Sequence, residues 1–547
     1  MEGKQKSITD TRDRNKLNLD DPESFFDINP FKNENSDPGN SNTDAITLTS
    51  QAFAWNIWRF KMYQYKNPVL EGIYREGVYT LLTEMGYYKR YNRDNTYIFI
   101  HDENNIISSV EISQMRDRVT KYIERFSGIV SFFYCGMEMK FTAEKLRETL
   151  YQNSHLLFNP GALGHLKNHE RPILRDTKTE MFFPFSNCVV SITSNGVRII
   201  QYKELKEECV WMDHIIKRKF IKAKNDRFLE SNFARFINNV SNNEPDRKAA
   251  FISAIGYLLH NYGHQSKGRA VIGYDEEITE LDKPGGGTGK GVFAQALKQL
   301  RQVVTIDGKR FDPAAQFVFQ DVNERTQITY FDDVKRDFDF LRFNSILTEG
   351  WHIEQKNKSS FRIEPENSPK VYITSNSIIK GEGTTIERRQ FILEFSPFYS
   401  RIAKNQINEV MLCEPIKSVH GCLFFDNEEW SPPDWDDFYN FMIYCAFEYM
   451  KKGLQFYKSK SVSENKVLQN TSSDFLEFIG NKEIRVNVEF SVTDYFIEFK
   501  TIFWGAESNF AQRTFTNWLK IYSSAKNLEL KFRTSNGKRI GVMILKQ

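Results

Sequence analysis

The sequence predicts a multidomain α/β protein, and three observations carry that reading. The chain has 547 residues, enough for about three to four domains at about 150 residues each. Its middle stretch runs strand, glycine-rich turn, helix, then further short apolar strands, the order in which an α/β unit opens. The flanks differ: an aromatic-rich α+β stretch precedes this core, and helices followed by two basic strands close the chain. Hydrophobic residues at 40% and charged residues at 27% give a globular balance. No apolar run approaches the roughly 18 to 20 residues that span a bilayer. The opening MEGKQKSITDTRDRNK lacks the apolar core of a signal peptide. The six cysteines are scattered without a C-x-x-C pair, which fits reduced thiols and a cytoplasmic location.

In chain order, residues 1–50 are rich in Asn, Asp, Ser, Lys and Pro and read as a disordered tail. Residues 51–235 read as an α+β domain without a nameable catalytic pattern. Within it, YIFIHDENNIISSVEIS predicts two strands about a turn at Asp102–Asn105. QMRDRVTKYIERF predicts a helix with Met115, Val119 and Ile123 on one face. Residues 236–410 form the expected α/β core: a helix over Asp246–His260, the strand RAVIGYD, the glycine turn, the helix GVFAQALKQLRQ, then strands VVTID, ITYFDD and KVYITSN. A helical extension is expected over 411–457 and a polar linker over 458–473. The last unit, 474–547, reads as helices followed by a hairpin turning at Asn536-Gly537, which resembles a winged helix.

Four patterns carry chemistry. Gly285, Gly286, Gly287, Thr288, Gly289, Lys290 and Gly291 form a candidate phosphate loop. Glycines let successive N–H groups turn onto phosphates, a helix N-terminus adds its positive end, and a lysine reaches the outer phosphates. The loop departs from G-x-x-x-x-G-K-[ST] at Pro284 and at Gly291, which lacks the Mg²⁺-binding hydroxyl. The alternative is an ordinary glycine turn. Next, ITYFDD ends a buried strand in two acids: Asp332 is assigned to Mg²⁺ and Asp333 to the attacking water. A solvated Asp-Asp turn is the bland reading. Then KVYITSN ends in Asn376, placed to sense the terminal phosphate, and Arg388-Arg389 could reach a neighbouring subunit's nucleotide or lie on a solvated face.

Order and spacing bind these together: Lys290 and Asp332 are 42 apart, Asp332 and Asn376 are 44, and Asn376 and Arg388 are 12. With passages such as GGGTGKGVF, ITYFDDVKRDFDF, LTEGWHIEQKNKSSFRI, KVYITSN and QRTFTNWLK, the chain resembles the superfamily 3 helicases, AAA+-related ring ATPases of viruses, phages and plasmids. Within them it is similar to primase-helicase-like proteins of phages and mobile elements in Bacteroidetes. The resemblance runs from about residue 80 to the C-terminus. It implies an AAA+-like ATPase core, ATP and Mg²⁺, a ring of copies, usually a hexamer, and 3′-to-5′ unwinding during replication. It implies that Gly after the loop lysine is usual in this subgroup. It also implies that Lys356 and Lys358 sit at the tip of a hairpin that tracks single-stranded DNA. Arg388 and Arg389 become candidate fingers, with the choice between them open.

The terminal stretch 501–547 carries eight Lys/Arg against two Asp/Glu. Such a basic end on a nearly neutral chain suits a polyanion, and Arg513, Lys520, Arg533, Lys538 and Arg539 are its candidate duplex-DNA contacts. The pairs His165/His169 and His260/His264 have metal-binding spacing but no third ligand. Residues 51–235 hold no primase acid motif, so a primase would be a separate partner. Two other readings stay open. One is an ATP-binding, DNA-binding initiator or switch with weak hydrolysis; the other is a different P-loop motor for packaging or defence.

Overall fold

The computed structural model describes residues 57–545, apart from 64–65, 94, 135–136, 278–286, 313–314, 336–337, 357–358, 378, 380–383, 407–413, 458–466, 468–469, 483, 506–507 and 536. The proposed N-terminal tail, Gly285, Gly286 and Lys358 therefore lie outside the described residues. The chain divides into two compact units, the second comprising Arg175–Phe183, Val190–Ile199 and Phe220–Gln547.

The first unit is α+β. A four-stranded sheet places Tyr97–Glu103 between Tyr87–Tyr91 and Ile106–Ser109, with Val210–Trp211 at the far edge. The turn between its central strands is tighter than the sequence suggests: Asp102 and Glu103 remain in the strand. Asn104 and Asn105 alone make the bend, both at positive φ, which asparagine tolerates. The helix Ile112–Glu124 starts at a capping box formed by Glu111 and Gln114. It buries Met115, Val119 and Ile123, the three residues that its sequence period puts on one face.

The second unit is built on five parallel strands. They are β1 (Ala270–Asp275), β2 (Val303–Asp307), β3 (Ile328–Asp332), β4 (Lys370–Thr374) and β5 (Gln390–Phe395), in the order β2–β3–β4–β1–β5. The central strands β1 and β4 are buried along their whole length, whereas the edge strand β2 is half-exposed. That is the pattern of a parallel sheet covered on both faces. The helix Pro245–Leu259 begins with proline in its first turn, where no N–H is missed, and packs against Pro432–Lys452. The helix after the glycine turn is shorter than its sequence pattern: it covers Lys290–Lys298 and closes at Gln299. The helix Asn232–Val240 spans residues 235 and 236, where the sequence suggests a domain boundary.

A buried charge network fastens the segment Arg175–Phe183 to this sheet's helices. Arg301 donates to the carbonyls of Leu259 (2.8 Å) and Phe182 (2.9 Å) and to Asp176 Oδ2 (3.2 Å), with its guanidinium 4.1 Å from the Phe183 ring centre. Asp176 also accepts from the N–H groups of Asn261 (2.7 Å) and Phe182 (2.8 Å). Beside them His260 Nε2 meets the Thr177 carbonyl at 2.7 Å, and burial pushes its pKa down to about 4. The Lys370 ammonium donates to the Tyr262 carbonyl over the Tyr257 ring, and burial pushes it down to about 8.

The terminal unit alternates Ser473–Asn481, strand Glu489–Ser491, helices Val492–Phe499 and Gln512–Ala525, then strands Leu528–Ser535 and Lys538–Leu545. The last strand lies between the other two, and Ser535 pairs with Lys538 across a two-residue turn. Phe475, Phe478, Phe499, Phe510 and Phe515 fill its core.

Two outcomes follow from the buried charges. Asp176→Ala leaves Arg301 buried without its carboxylate, so urea titration should show a loss of about 3–5 kcal/mol. His260 and His420, both pushed down to about 4 by burial, are neutral in the folded chain at pH 6. Between pH 6.5 and about 4 the unfolded chain binds more protons, so stability falls as pH falls through that window. The His260 contribution is on the order of 3 kcal/mol; urea midpoints measured from pH 7 to 4.5 should decline less steeply in His260→Asn.

Candidate active site

In an open parallel sheet, ligands bind beyond the carboxyl ends of the strands, where successive strands turn to opposite sides. Here β1 is that point: the chain leaves it for the far edge at β2 and later places β5 on its other side. Lys290, Asp332, Asp333 and Asn376 gather at this edge because each one ends or follows a strand of the sheet or heads the helix that follows β1.

Lys290 heads the helix Lys290–Lys298, and Gly289 is its N-cap at φ +104°. A Cβ on Gly289 would lie 2.8 Å from the Phe236 ring, so both the backbone and the packing demand glycine. The Lys290 ammonium is nearly buried and doubly held: 2.6 Å from Asp275 Oδ2 and 2.8 Å from Asn376 Oδ1. Asp275, the last residue of β1, also accepts from Thr288 Oγ1 at 2.5 Å. The sequence reading missed Asp275; its signal is an acid ending an apolar strand ten residues before Gly285.

The acid pair divides as β3 ends. Asp332 Oδ1 accepts from Tyr330 OH at 2.5 Å and from Thr374 Oγ1 at 3.2 Å. Burial, then the bond to Asp332, drives the Tyr330 hydroxyl well above the usual phenol range. Asp333 leaves the strand at φ +53°, a conformation Asp tolerates, and its N–H donates to Thr374 Oγ1 at 2.9 Å. Its Oδ1 accepts from Asn376 Nδ2 at 2.9 Å and its Oδ2 from Lys309 Nζ at 2.7 Å. The bond to Asp333 raises the Lys309 ammonium above the ordinary lysine value. Since Lys290 can only donate and Asp333 only accept, the Asn376 amide is oriented by its partners. A continuous chain therefore runs Asp275–Lys290–Asn376–Asp333–Lys309.

The donor set fits a magnesium ion. Asp332 is an exposed carboxylate oxygen donor beside Asp333, and hard oxygens suit Mg²⁺. Among the described residues no group of three or more His, Cys, Asp and Glu could hold a metal. An ion here would thus use Asp332 with water and substrate oxygens, as Mg²⁺ commonly does.

The other candidates fall elsewhere. Gly287 adopts φ +78°, and Gly291, in the first helical turn, has open space where a side chain would go. Arg388 and Arg389 end the helix Thr384–Arg389; Arg388 is exposed, whereas Arg389 donates to the carbonyls of Gln265 and Gly268. Lys356 is exposed in the turn of an antiparallel hairpin, Trp351–Ile353 with Phe361–Ile363. Trp351, Ile353 and Ile363 face the core, and His352 and Arg362 face outward as a pair.

In the terminal unit, Lys520 and Arg539 both lie over the Phe532 ring, and Arg513 is exposed on the helix Gln512–Ala525. Arg533 is forked onto Glu489 and Lys538 is paired with Asp494. The histidine pairs form no metal site among the described residues. His169 lies between Asp102 and Arg90, each at 2.9 Å, and His165 is near-parallel to Tyr79. His260 is committed to Thr177, and His264 to Ser266.

No family model matches the chain, and no curated protein matches it. Among solved structures it is similar to the apo A form of the NrS-1 C-terminal region, from a phage, at 13% identity over 86% of this chain and 99% of that one, TM-score 0.36. The 305–718 piece of the same region gives 13% identity over 85% and 98%, with TM-score 0.36. The JC virus helicase, solved with a bound phenoxyphenyl acetamide, gives 12% over 44% of this chain and 71% of that one, TM-score 0.21. The overlaps are loose, and the reading of the site rests on its own geometry. No described helix is long and apolar enough to cross a membrane.

The two glycines that flank Lys290 should behave oppositely. Gly289→Ala places a Cβ against Phe236 at a left-handed backbone and should destabilise by about 1–3 kcal/mol, read as a lower urea midpoint. Gly291→Ala fills open space in a helix and should leave the urea midpoint unchanged or raise stability by up to about 1 kcal/mol.

Proposed function

We propose that the chain is a nucleotide-hydrolysing motor of the superfamily 3 helicase kind, with an AAA+-like core that turns ATP hydrolysis into movement along DNA. The observation that carries this is the hydrogen-bonded run Lys290–Asn376–Asp333 at one edge of a parallel sheet, with Asp332 beside it. A lysine for the outer phosphates, an amide and two acids are the parts that phosphoryl transfer to water requires.

In this reading Lys290 and the amides of the Gly285–Gly289 loop would hold the ATP phosphates, and Asp332 would hold Mg²⁺, which when bound would neutralise charge on the phosphate oxygens. Asn376 senses the terminal phosphate while keeping Asp333 in line. Water attacks the terminal phosphorus; its O–P bond forms as the bridging P–O bond to the β-phosphate breaks. The electron pair leaves with ADP, and the water's proton passes to Asp333. Arg388 or Arg389 would reach a neighbouring copy's nucleotide in a closed head-to-tail ring, a hexamer by resemblance; Arg389 would first have to release the Gln265 and Gly268 carbonyls. The Lys356 hairpin, with Lys358, would track the single strand, 3′ to 5′ by resemblance. The terminal unit, winged-helix-like in element order, would hold duplex DNA through Arg513, Lys520 and Arg539. Arg533 and Lys538 would have to exchange their acids for phosphates. The setting would be replication of a phage or mobile element in a bacterial cytoplasm.

A second reading has its own support. Gly291 offers no hydroxyl for the ion and Lys309 occupies one oxygen of Asp333, which would suit a nucleotide-controlled DNA switch with slow turnover.

ATP turnover with and without single-stranded DNA separates them. DNA-stimulated turnover should fall at least about 100-fold in Lys290→Ala, and unwinding should be lost in Lys356→Ala/Lys358→Ala while basal turnover remains. Tight nucleotide binding without turnover in the unaltered chain would sink the motor and leave the switch. Unwinding that survives the double change would sink the role of the hairpin.

A further inference from the structure

One cation in the site has no part in the hydrolytic step proposed above. Lys309 follows Asp307 and Gly308 off the carboxyl end of β2, and a backbone device delivers it. The Lys309 N–H donates to Asp307 Oδ1 at 3.0 Å, and the Gly308 N–H donates to the Asp332 carbonyl at 2.7 Å. A Cβ at Gly308 would lie 2.6 Å from that carbonyl oxygen and 2.7 Å from the Val334 nitrogen, so only glycine lets this loop close on the acids. The closure sets Lys309 Nζ 2.7 Å from Asp333 Oδ2.

Stability does not account for this pair. Its side chains are 66% and 30% exposed, and exposed ion pairs contribute about 0–1 kcal/mol. What the pair fixes is direction. Asp333 Oδ1 is held by Asn376 and Oδ2 by Lys309, so the carboxylate plane is pinned at both ends. Each oxygen keeps a second lone pair with which to accept from water. A base aimed this way matters to rate, since a misplacement of about 1 Å can cost about 100-fold.

We propose that Lys309 is a positioning residue for hydrolysis, aiming Asp333 at the attacking water without contributing to nucleotide affinity. The inference rests on the hydrolase reading and adds to it a residue outside the loop, the acid pair and the arginines.

The test compares Lys309→Met, Lys309→Arg and Lys290→Ala in the full chain, with turnover on ATP and binding of a fluorescent ATP analogue measured with Mg²⁺ and with chelator. In Lys309→Met, kcat should fall about 10- to 100-fold, with KM and analogue affinity within about twofold of the unaltered chain and an unchanged melting midpoint. Lys309→Arg should recover kcat to within about threefold, because a guanidinium can hold the same oxygen. An unchanged kcat in Lys309→Met, with Lys290→Ala inactive, overturns the inference and leaves the hydrolase reading standing. A raised KM at constant kcat also overturns it, making Lys309 a phosphate contact. Absence of turnover in the unaltered chain overturns the hydrolase reading itself.

Discussion

The pairing of Lys290 with Asp275 is the constraint on which the rest of the site hangs. Both groups are almost withdrawn from water, and an ionised side chain in that position is tolerated only when it is paired and hydrogen-bonded. Asp275 is fixed by the end of the most buried strand, so the lysine is fixed too, and with it the start of its helix. Thr288 ties the glycine turn to the same carboxylate. Through Asn376 the order passes from β1 to β4 and on to the acid after β3. In the proposed motor, phosphate oxygens entering this edge would meet a lysine that has already lost its hydration and its freedom of rotamer, leaving little ordering to be done on binding.

Much of this was legible from residue types and spacing. The strands RAVIGYD, ITYFDD and KVYITSN form where their apolar runs indicate, and Lys290, Asp333 and Asn376 meet as the motif order suggests. Such patterns are readable because a central parallel strand must be apolar throughout, and because its polar residues can lie only at the ends. Thr374 and Lys309 were not legible. Each acts through a partner distant in sequence: Thr374 lies 42 residues from Asp332, and Lys309 lies 24 from Asp333. No local period or motif encodes such a partner. Arg533 and Lys538 show what a charge count leaves out. It marks the terminal stretch as basic, but not that the acids Glu489 and Asp494, each 44 residues away in sequence, lie beside them in space.

The Asp176–Arg301 network shows the same economy of buried charge used for architecture. Arg301 spends its donors on two carbonyls and a carboxylate contributed by separate parts of the chain, and Asp176 answers with two further backbone N–H groups. A histidine kept neutral and a lysine over an aromatic ring complete the region. Segments far apart in sequence are thereby held in one register, which hydrophobic contact alone, being non-directional, would not specify.

The anchoring of the Lys356 hairpin has a mechanical consequence. Trp351, Ile353 and Ile363 are sunk in the same apolar cluster as Phe331 of β3 and Ile373 of β4. Close-packed interiors transmit displacement and resist shear. The paired strands of the hairpin therefore have no private hinge at their base. They turn with the strands that carry the acids and the amide, so a rotation of the sheet is delivered undamped to the place where the hairpin leaves the core.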